Sequence, residues 1–267
     1  MQPPPLPEEH DWVLYIAMVA VVSLLIALLA LPSMKKGRGV LIIGAEDAGK
    51  TVLWMRLQDG LAANVGMVAG TVFFKDEIFP IMATRKDGSL PPPEVVNVID
   101  TPPDADAMHQ IMGKITRTAV VICVVDKDDA VDSCKLAAEQ LYSLFTADVM
   151  RKERVPVLIA CNKSDVGATP ASELRALLEA ELERIQQERT VAAKDMVVEG
   201  KTLGPEVTMI NNDGAPFTFD KAPSRVVEFV DCSALHAQTE DLVEFLCLHV
   251  PQLANPGTAE GKKAKAE

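Results

Sequence analysis

No two of the five cysteines in this 267-residue chain have CxxC spacing, and none of the four histidines stands at ligand distance along the sequence from them. Cys123, Cys134, Cys161, Cys232 and Cys247 are scattered, three of them in apolar runs, so a metal cluster or disulfide framework is not expected. Buried free thiols in a reducing compartment are what the pattern predicts. Basic excess is also missing. The formal net charge of −12 argues against a general nucleic-acid binder, whose binding face is basic, so no direct nucleic-acid contact is expected.

Charge is absent altogether from residues 12–32, WVLYIAMVAVVSLLIALLALP. About 20 helical residues span the roughly 30 Å hydrocarbon core of a bilayer, so this run predicts a single transmembrane helix. A cleavable signal peptide has an apolar region of only about 7–15 residues, preceded by positive charge. Here Glu8, Glu9 and Asp11 precede the run, and Lys35, Lys36 and Arg38 follow it. The positive-inside tendency then puts residues 1–11 across the membrane, makes 33–38 a basic juxtamembrane linker, and leaves the rest in the cytosol.

About 230 residues remain, enough for one domain with a core of its own. Apolar, β-branched runs at 39–43, 95–99, 119–125, 155–161 and 226–232 read as strands. Their near-continuous apolar character is what a parallel sheet covered on both faces requires. Helical patterns alternate with them, for example the stripe Leu174, Leu177, Leu178, Leu182 and Ile185, with Thr169 as a cap and Pro170 at the first position. The expected fold is therefore α/β, a doubly wound and mostly parallel sheet with ligands at the carboxyl ends of its strands.

Gly44-Ala45-Glu46-Asp47-Ala48-Gly49-Lys50-Thr51 fits GxxxxGK[ST] between the first strand and the helix that carries Leu53, Trp54 and Leu57. In this phosphate loop the glycines let backbone N–H groups, continuing to Val52, converge on phosphates; Lys50 reaches the terminal phosphates, and the Thr51 hydroxyl binds Mg2+. Glu46 and Asp47 are unusual beside phosphate, and are tolerable with their side chains turned to solvent. Asn162-Lys163-Ser164-Asp165 follows the strand ending at Cys161. A carboxylate at Asp165 accepts from the ring N–H and exocyclic amine of guanine, a donor pair adenine lacks, so the preferred nucleotide is GTP. Asn162 would tie the base to the phosphate loop, the Lys163 stem would lie along the base face, and Ser233 and Ala234 in Cys232-Ser233-Ala234-Leu235 would complete the base-contact loop.

These motifs, with 49–57 (GKTVLWMRL), 158–165 (LIACNKSD) and the block from Phe217 to Ala234, resemble the beta-subunit family of the signal recognition particle receptor, anchored relatives of the Arf and Sar small GTPases. The resemblance covers the chain from Trp12 to Val250. It implies a P-loop GTPase domain, here 39–252, with a flexible insertion at about 190–215; the Lys-containing tail at 253–267 reads from its own residues as a solvated, disordered end. It also implies residence in the endoplasmic reticulum membrane and a complex with the receptor's alpha subunit, and that pair docks ribosomes near the translocon, with ribosome or translocon as further partners. An Arf-like trafficking GTPase is the alternative family, against which the anchor and the 217–234 block count.

Two departures from the family pattern bear on activity. The DxxG switch reads Asp100-Thr101-Pro102-Pro103, and a proline at its last position has no N–H to offer the γ-phosphate. Asp104 follows, where hydrolytic relatives carry a water-orienting Gln or His; a carboxylate beside phosphate suits that role poorly. Intrinsic hydrolysis is expected to be weak or absent. Asp100 remains available to hold Mg2+ through water. Thr71 is the candidate switch threonine for the metal, with Ala69 an equal alignment and the start of a strand an equal reading. Two classes of function follow: a GTP-gated regulatory subunit, or a static tether with GTP as a structural cofactor. Pro103 and Asp104 favour the tether. The proline turn at 90–93 reads as a hairpin-like connector.

Overall fold

The computed structural model describes residues 16, 18, 19, 39–66, 73–103, 105–195, 197, 198, 201, 202, 210 and 215–254. Among these, no helix is long and apolar enough to cross a membrane. Most of the 12–32 run, the 33–38 linker, Thr71, Asp104 and most of the tail lie outside them.

The unit from Gly37 onward is built on a six-stranded sheet of order β2-β3-β1-β4-β5-β8. The strands are β1 (Gly39–Gly44), β2 (Lys75–Pro80), β3 (Val95–Asp100), β4 (Thr118–Asp126), β5 (Val157–Asn162) and β8 (Val227–Asp231), while β6 (Val197–Val198) and β7 (Lys201–Thr202) form a separate hairpin. All neighbours in the large sheet are parallel except β2 and β3. Every residue of β1, β4 and β5 is buried, which explains why these strands contain so little polar sequence.

Alternate residues of each central strand serve opposite faces. Leu41, Ile43, Val121 and Ile159 pack with α2 (Ala105–Lys114), α3 (Ala130–Thr146) and α5 (Ala171–Asp195). Val40, Ile42, Val120 and Leu158 pack with α1 (Lys50–Asp59) and α6 (Glu240–His249). A short helix, α4 (Asp148–Glu153), leads into β5. This is the three-layer, doubly wound arrangement, and it places every β–α turn of the parallel strands at one edge of the sheet.

One strand was not anticipated, and two bounds differ from those expected. The strand β2 carries Lys75, Asp76 and Glu77 and leaves Ile78 exposed, so it has no continuous apolar run to announce it; charge on an edge strand also discourages further pairing. The long helix opens at Ala171, with the Pro170 carbonyl accepting from Leu174, one residue later than the cap reading, and it continues to Asp195, past the expected start of the insertion. Packing also extends beyond 252, since Leu253 is buried beneath the turn that follows α6. The stripe on α5 is buried at Leu174, Leu178, Leu182 and Ile185, and Leu177 at its margin is half-buried. The 81–94 segment does join an antiparallel pair, its turn closed by Arg85 N–H to the Ser89 carbonyl.

All five cysteines are free, four of them buried, and burial pushes the thiols of Cys134 and Cys161 up to about 12. The segment after Ala215 is drawn onto α5 by backbone amides. Phe217 N donates to Glu183 and Phe219 N to Glu179, one helical turn apart, while Ile210 N donates to Gln186. Phe219 then meets Phe145, Phe217 and Phe229 with ring centroids 6.4, 5.4 and 5.2 Å apart. Truncating this centre, Phe219→Ala, is predicted to cost about 3–5 kcal/mol. Urea unfolding reads it, and a loss under 1 kcal/mol would show that the 217–219 segment is not part of the cooperative core.

Candidate nucleotide site

The sequence-predicted residues converge at the carboxyl edge of the sheet. β1 ends at Gly44 with φ 135°, and a Cβ there would lie 2.2 Å from the Val124 carbonyl oxygen, so only glycine fits where the chain leaves the sheet. Gly49, φ 93°, closes the loop; its Cβ would fall 2.3 Å from Asn162 Nδ2. Between them Glu46 and Asp47 are exposed while Ala48 is buried. The Lys50 ammonium folds back over the loop, donating to the carbonyls of Gly44 (2.9 Å) and Ala45 (2.6 Å). Burial lowers the Lys50 pKa, against the opposing pull of Asp100. Thr51 Oγ1 donates to Asp100 Oδ2 at 2.9 Å, bringing hydroxyl and carboxylate together from α1 and the end of β3. Val52 follows on the helix and is half-buried.

Asn162, at the end of β5, joins two loops. Its Nδ2 donates to the Ala48 carbonyl at 2.7 Å, and its Oδ1 accepts from the Ala234 amide at 2.9 Å. Lys163 takes φ 60°, a left-handed conformation that swings its side chain onto Asp126 Oδ2 at 2.5 Å. Asp165 accepts from Ser233 Oγ at 2.5 Å, which holds its carboxyl below the usual value, and its other oxygen lies 3.3 Å from His236 Nε2. Asn162, Lys163, Asp165, Ser233 and Ala234 are thus one connected group, linked through Ala48 to the phosphate loop.

The Pro102-Pro103 turn is reached from an unpredicted direction. Gln140, buried on α3, donates to the Pro103 carbonyl (3.4 Å) and accepts from Gly44 N–H (2.7 Å). Proline offers no N–H at this position, so its carbonyl is its one backbone hydrogen-bonding group. Gln140, Asp126, His236 and Arg56 were all missed by sequence reasoning. Asp126 had a usable signal, a carboxylate ending an otherwise apolar strand. Gln140 had none, because a polar residue on an amphipathic helix reads as part of the solvent face.

The signal recognition particle receptor beta subunit family matches residues 35–226. The chain belongs to this family. Curated beta subunits from Dictyostelium discoideum and Homo sapiens are 28% identical over 193 residues and 27% identical over 233 residues, covering 72% and 85% of this chain. The chain spans 62% of the Dictyostelium relative and 80% of the human one. Among solved structures, the mammalian signal recognition particle receptor matches with TM-score 0.56 and 26% identity over 78% of this chain and 98% of that one. The SRb-GTP/SRX complex from Chaetomium thermophilum (TM-score 0.53, 20% identity, 74% of this chain and 91% of that one) shares the fold, that of a small GTPase. The Phe217–Ala234 resemblance lies partly beyond the matched segment, which ends at residue 226.

Removing the Asn162 side chain would strand the Ala48 carbonyl and the Ala234 amide in a buried setting. Asn162→Ala is therefore predicted to cost about 2 kcal/mol or more without any nucleotide present. Thermal unfolding of the nucleotide-free protein checks it; an unchanged midpoint would mean that the two loops do not depend on this bridge.

Proposed function

We propose that this chain is the GTP-binding, membrane-anchoring subunit of a signal recognition particle receptor, holding the alpha subunit at the endoplasmic reticulum with its GTPase-fold domain in the cytosol. The observation that carries the reading is the joining of phosphate loop and NKSD loop through Asn162, because a nucleotide needs both ends held at a fixed separation. In this reading Gly44, Glu46, Asp47, Ala48, Gly49, Lys50, Thr51 and Val52 cradle the phosphates. The Lys50 ammonium, resting on loop carbonyls, transfers to phosphate oxygens. Asp165 reads the guanine edge, Lys163 lines the base face, and Ser233 and Ala234 close over it. Asp126 holds the Lys163 side chain in place.

The residues present also fit Mg2+, a hard cation that takes oxygen ligands. Thr51 and Asp100 already bring a hydroxyl and a carboxylate oxygen within 2.9 Å of each other. Thr71 is the remaining candidate ligand. When bound, the metal would neutralise charge between the terminal phosphates.

Between a GTP-gated switch and a tether with structural GTP, Pro103 favours the tether. The γ-phosphate sensor requires an N–H that proline does not have. Weak hydrolysis follows, since Asp104 adds negative charge where water must be oriented. Ribosome or translocon would be further partners of the pair that the chain forms with the alpha subunit. Anchorage is supported by the uncharged 12–32 run and its basic flank.

The deciding experiment identifies the nucleotide that co-purifies with the full-length chain, then follows single-turnover hydrolysis with and without the alpha subunit. Intact GTP in both cases is the expected result; conversion to GDP, faster with the partner, would establish the switch. Separately, Asp165→Asn is predicted to lower GTP affinity by at least tenfold and to admit xanthosine triphosphate. Guanine selectivity unchanged by that substitution would sink the base assignment.

A further inference from the structure

Arg56 is a buried cation outside the groups that touch nucleotide in the reading above. Arg56 sits on the inward side of α1 among Leu53, Trp54 and Leu57, only 8% exposed. Its guanidinium spans two loops distant in sequence. Nε and Nη2 donate to the consecutive carbonyls of Ala234 (2.9 Å) and Leu235 (2.7 Å). Nη1 donates to Gly60 (3.1 Å) and Leu61 (3.4 Å) in the turn that ends α1. All four acceptors are backbone carbonyls.

The geometry suits arginine and little else. A planar fork can meet two successive carbonyls with one edge and a third group with its remaining nitrogen, whereas an ammonium is a point charge without fixed directions. The peptide between Ala234 and Leu235 is consequently held from behind by Arg56, while Asn162 holds the Ala234 amide and Ser233 is bonded to Asp165. With both sides of the loop fixed, its orientation relative to Asp165 is fixed too. Arg56 also lies on the helix that begins at Lys50, so the base-contact loop is fastened directly to the phosphate-binding element.

We propose that Arg56 is a positioning residue for base selectivity, acting through the Ser233–Leu235 loop without touching the nucleotide. This rests on the guanine-nucleotide reading and deepens it: discrimination between guanine and adenine depends on how firmly that loop is held, and Arg56 holds it.

The test compares the full-length wild-type chain with Arg56→Met and Arg56→Lys, measuring equilibrium binding of GTP, ATP and inorganic tripolyphosphate in the presence of Mg2+. Wild type that shows no preference for GTP over ATP would overturn the guanine reading itself. With that preference established, Arg56→Met is expected to lower GTP affinity by about tenfold and to shrink the GTP-over-ATP ratio by a similar factor, with tripolyphosphate binding unchanged. Arg56→Lys, which keeps the charge and can satisfy part of the carbonyl set, is expected to fall between the two and decides the matter if the methionine variant does not fold. An unaltered GTP-over-ATP ratio in the folded variant, or a parallel loss of tripolyphosphate binding, would overturn the proposal, the second because it would mean a general loss of structure.

Discussion

A single side-chain amide, that of Asn162, carries the geometry of the candidate site. Its nitrogen and its oxygen are committed to different loops, one to the Ala48 carbonyl and the other to the Ala234 amide. The residue itself is set by the ladder of β5, which is paired in parallel on both sides with β4 and β8 and buried throughout. Rigidity passes outward from the sheet to Asn162 and from there to loops that lack regular structure. The close approach of Gly49 to Asn162 follows from the same requirement, as does the alanine at 48, where only the backbone is used. Helix α1 reinforces the link from the opposite side through Arg56, so that phosphate loop and base loop are connected twice by buried hydrogen bonds.

Among the described residues, the DxxG turn is held differently. The elements that would grip a nucleotide emerge from buried strand ends, whereas the DxxG turn ends in two prolines and is met by Gln140 through a carbonyl. Gln140 also takes the Gly44 amide, which makes the phosphate loop and the proline turn neighbours in one hydrogen-bonded chain. A turn held this way is fixed by its acceptor side, and Pro103 itself has no N–H to offer a terminal phosphate. The link between phosphate loop and base loop thus rests on the sheet, while the DxxG turn is held through a proline carbonyl.

Strands β1, β4 and β5 were legible in the sequence because a parallel sheet buried on both faces demands unbroken β-branched runs, while β3 and the part-exposed edge strand β8 were legible from the valines that recur along them. β2 was not, because an antiparallel edge strand has only one protected face and Lys75, Asp76 and Glu77 dilute its signal. The phosphate loop and Asn162-Lys163-Ser164-Asp165 could be read since their chemistry fixes both residue type and spacing. Arg56 and Gln140 could not. Each is a polar residue on a helix, where composition predicts exposure, and its burial is revealed only when a partner some 90 to 180 residues away is brought beside it. Long-range carbonyl acceptors leave no trace in sequence, since every residue has one.

The overall charge of −12 poses an electrostatic question for a site that is to receive a polyanion, particularly with Glu46 and Asp47 in the loop itself. The answer lies in where each charge is placed. Both acidic side chains are exposed, where water reduces a unit-charge interaction at 4 Å to about 1 kcal/mol. Lys50 is buried enough for desolvation to dominate its pKa, and its interactions are correspondingly less screened. Asp126 is matched by Lys163 and Asp231 by Lys127, so neither pair contributes a large net field at the base end. The local potential at the loop is therefore set by the Lys50 ammonium, the buried Asp100 carboxylate beside Thr51 and the amides of a helix N-terminus, and the ammonium and amides attract an anion whatever the sign of the whole molecule. That distinction also explains how a chain of net negative charge can carry a site suited to a nucleotide: summed charge acts at the Debye scale, desolvated donors a few ångströms away.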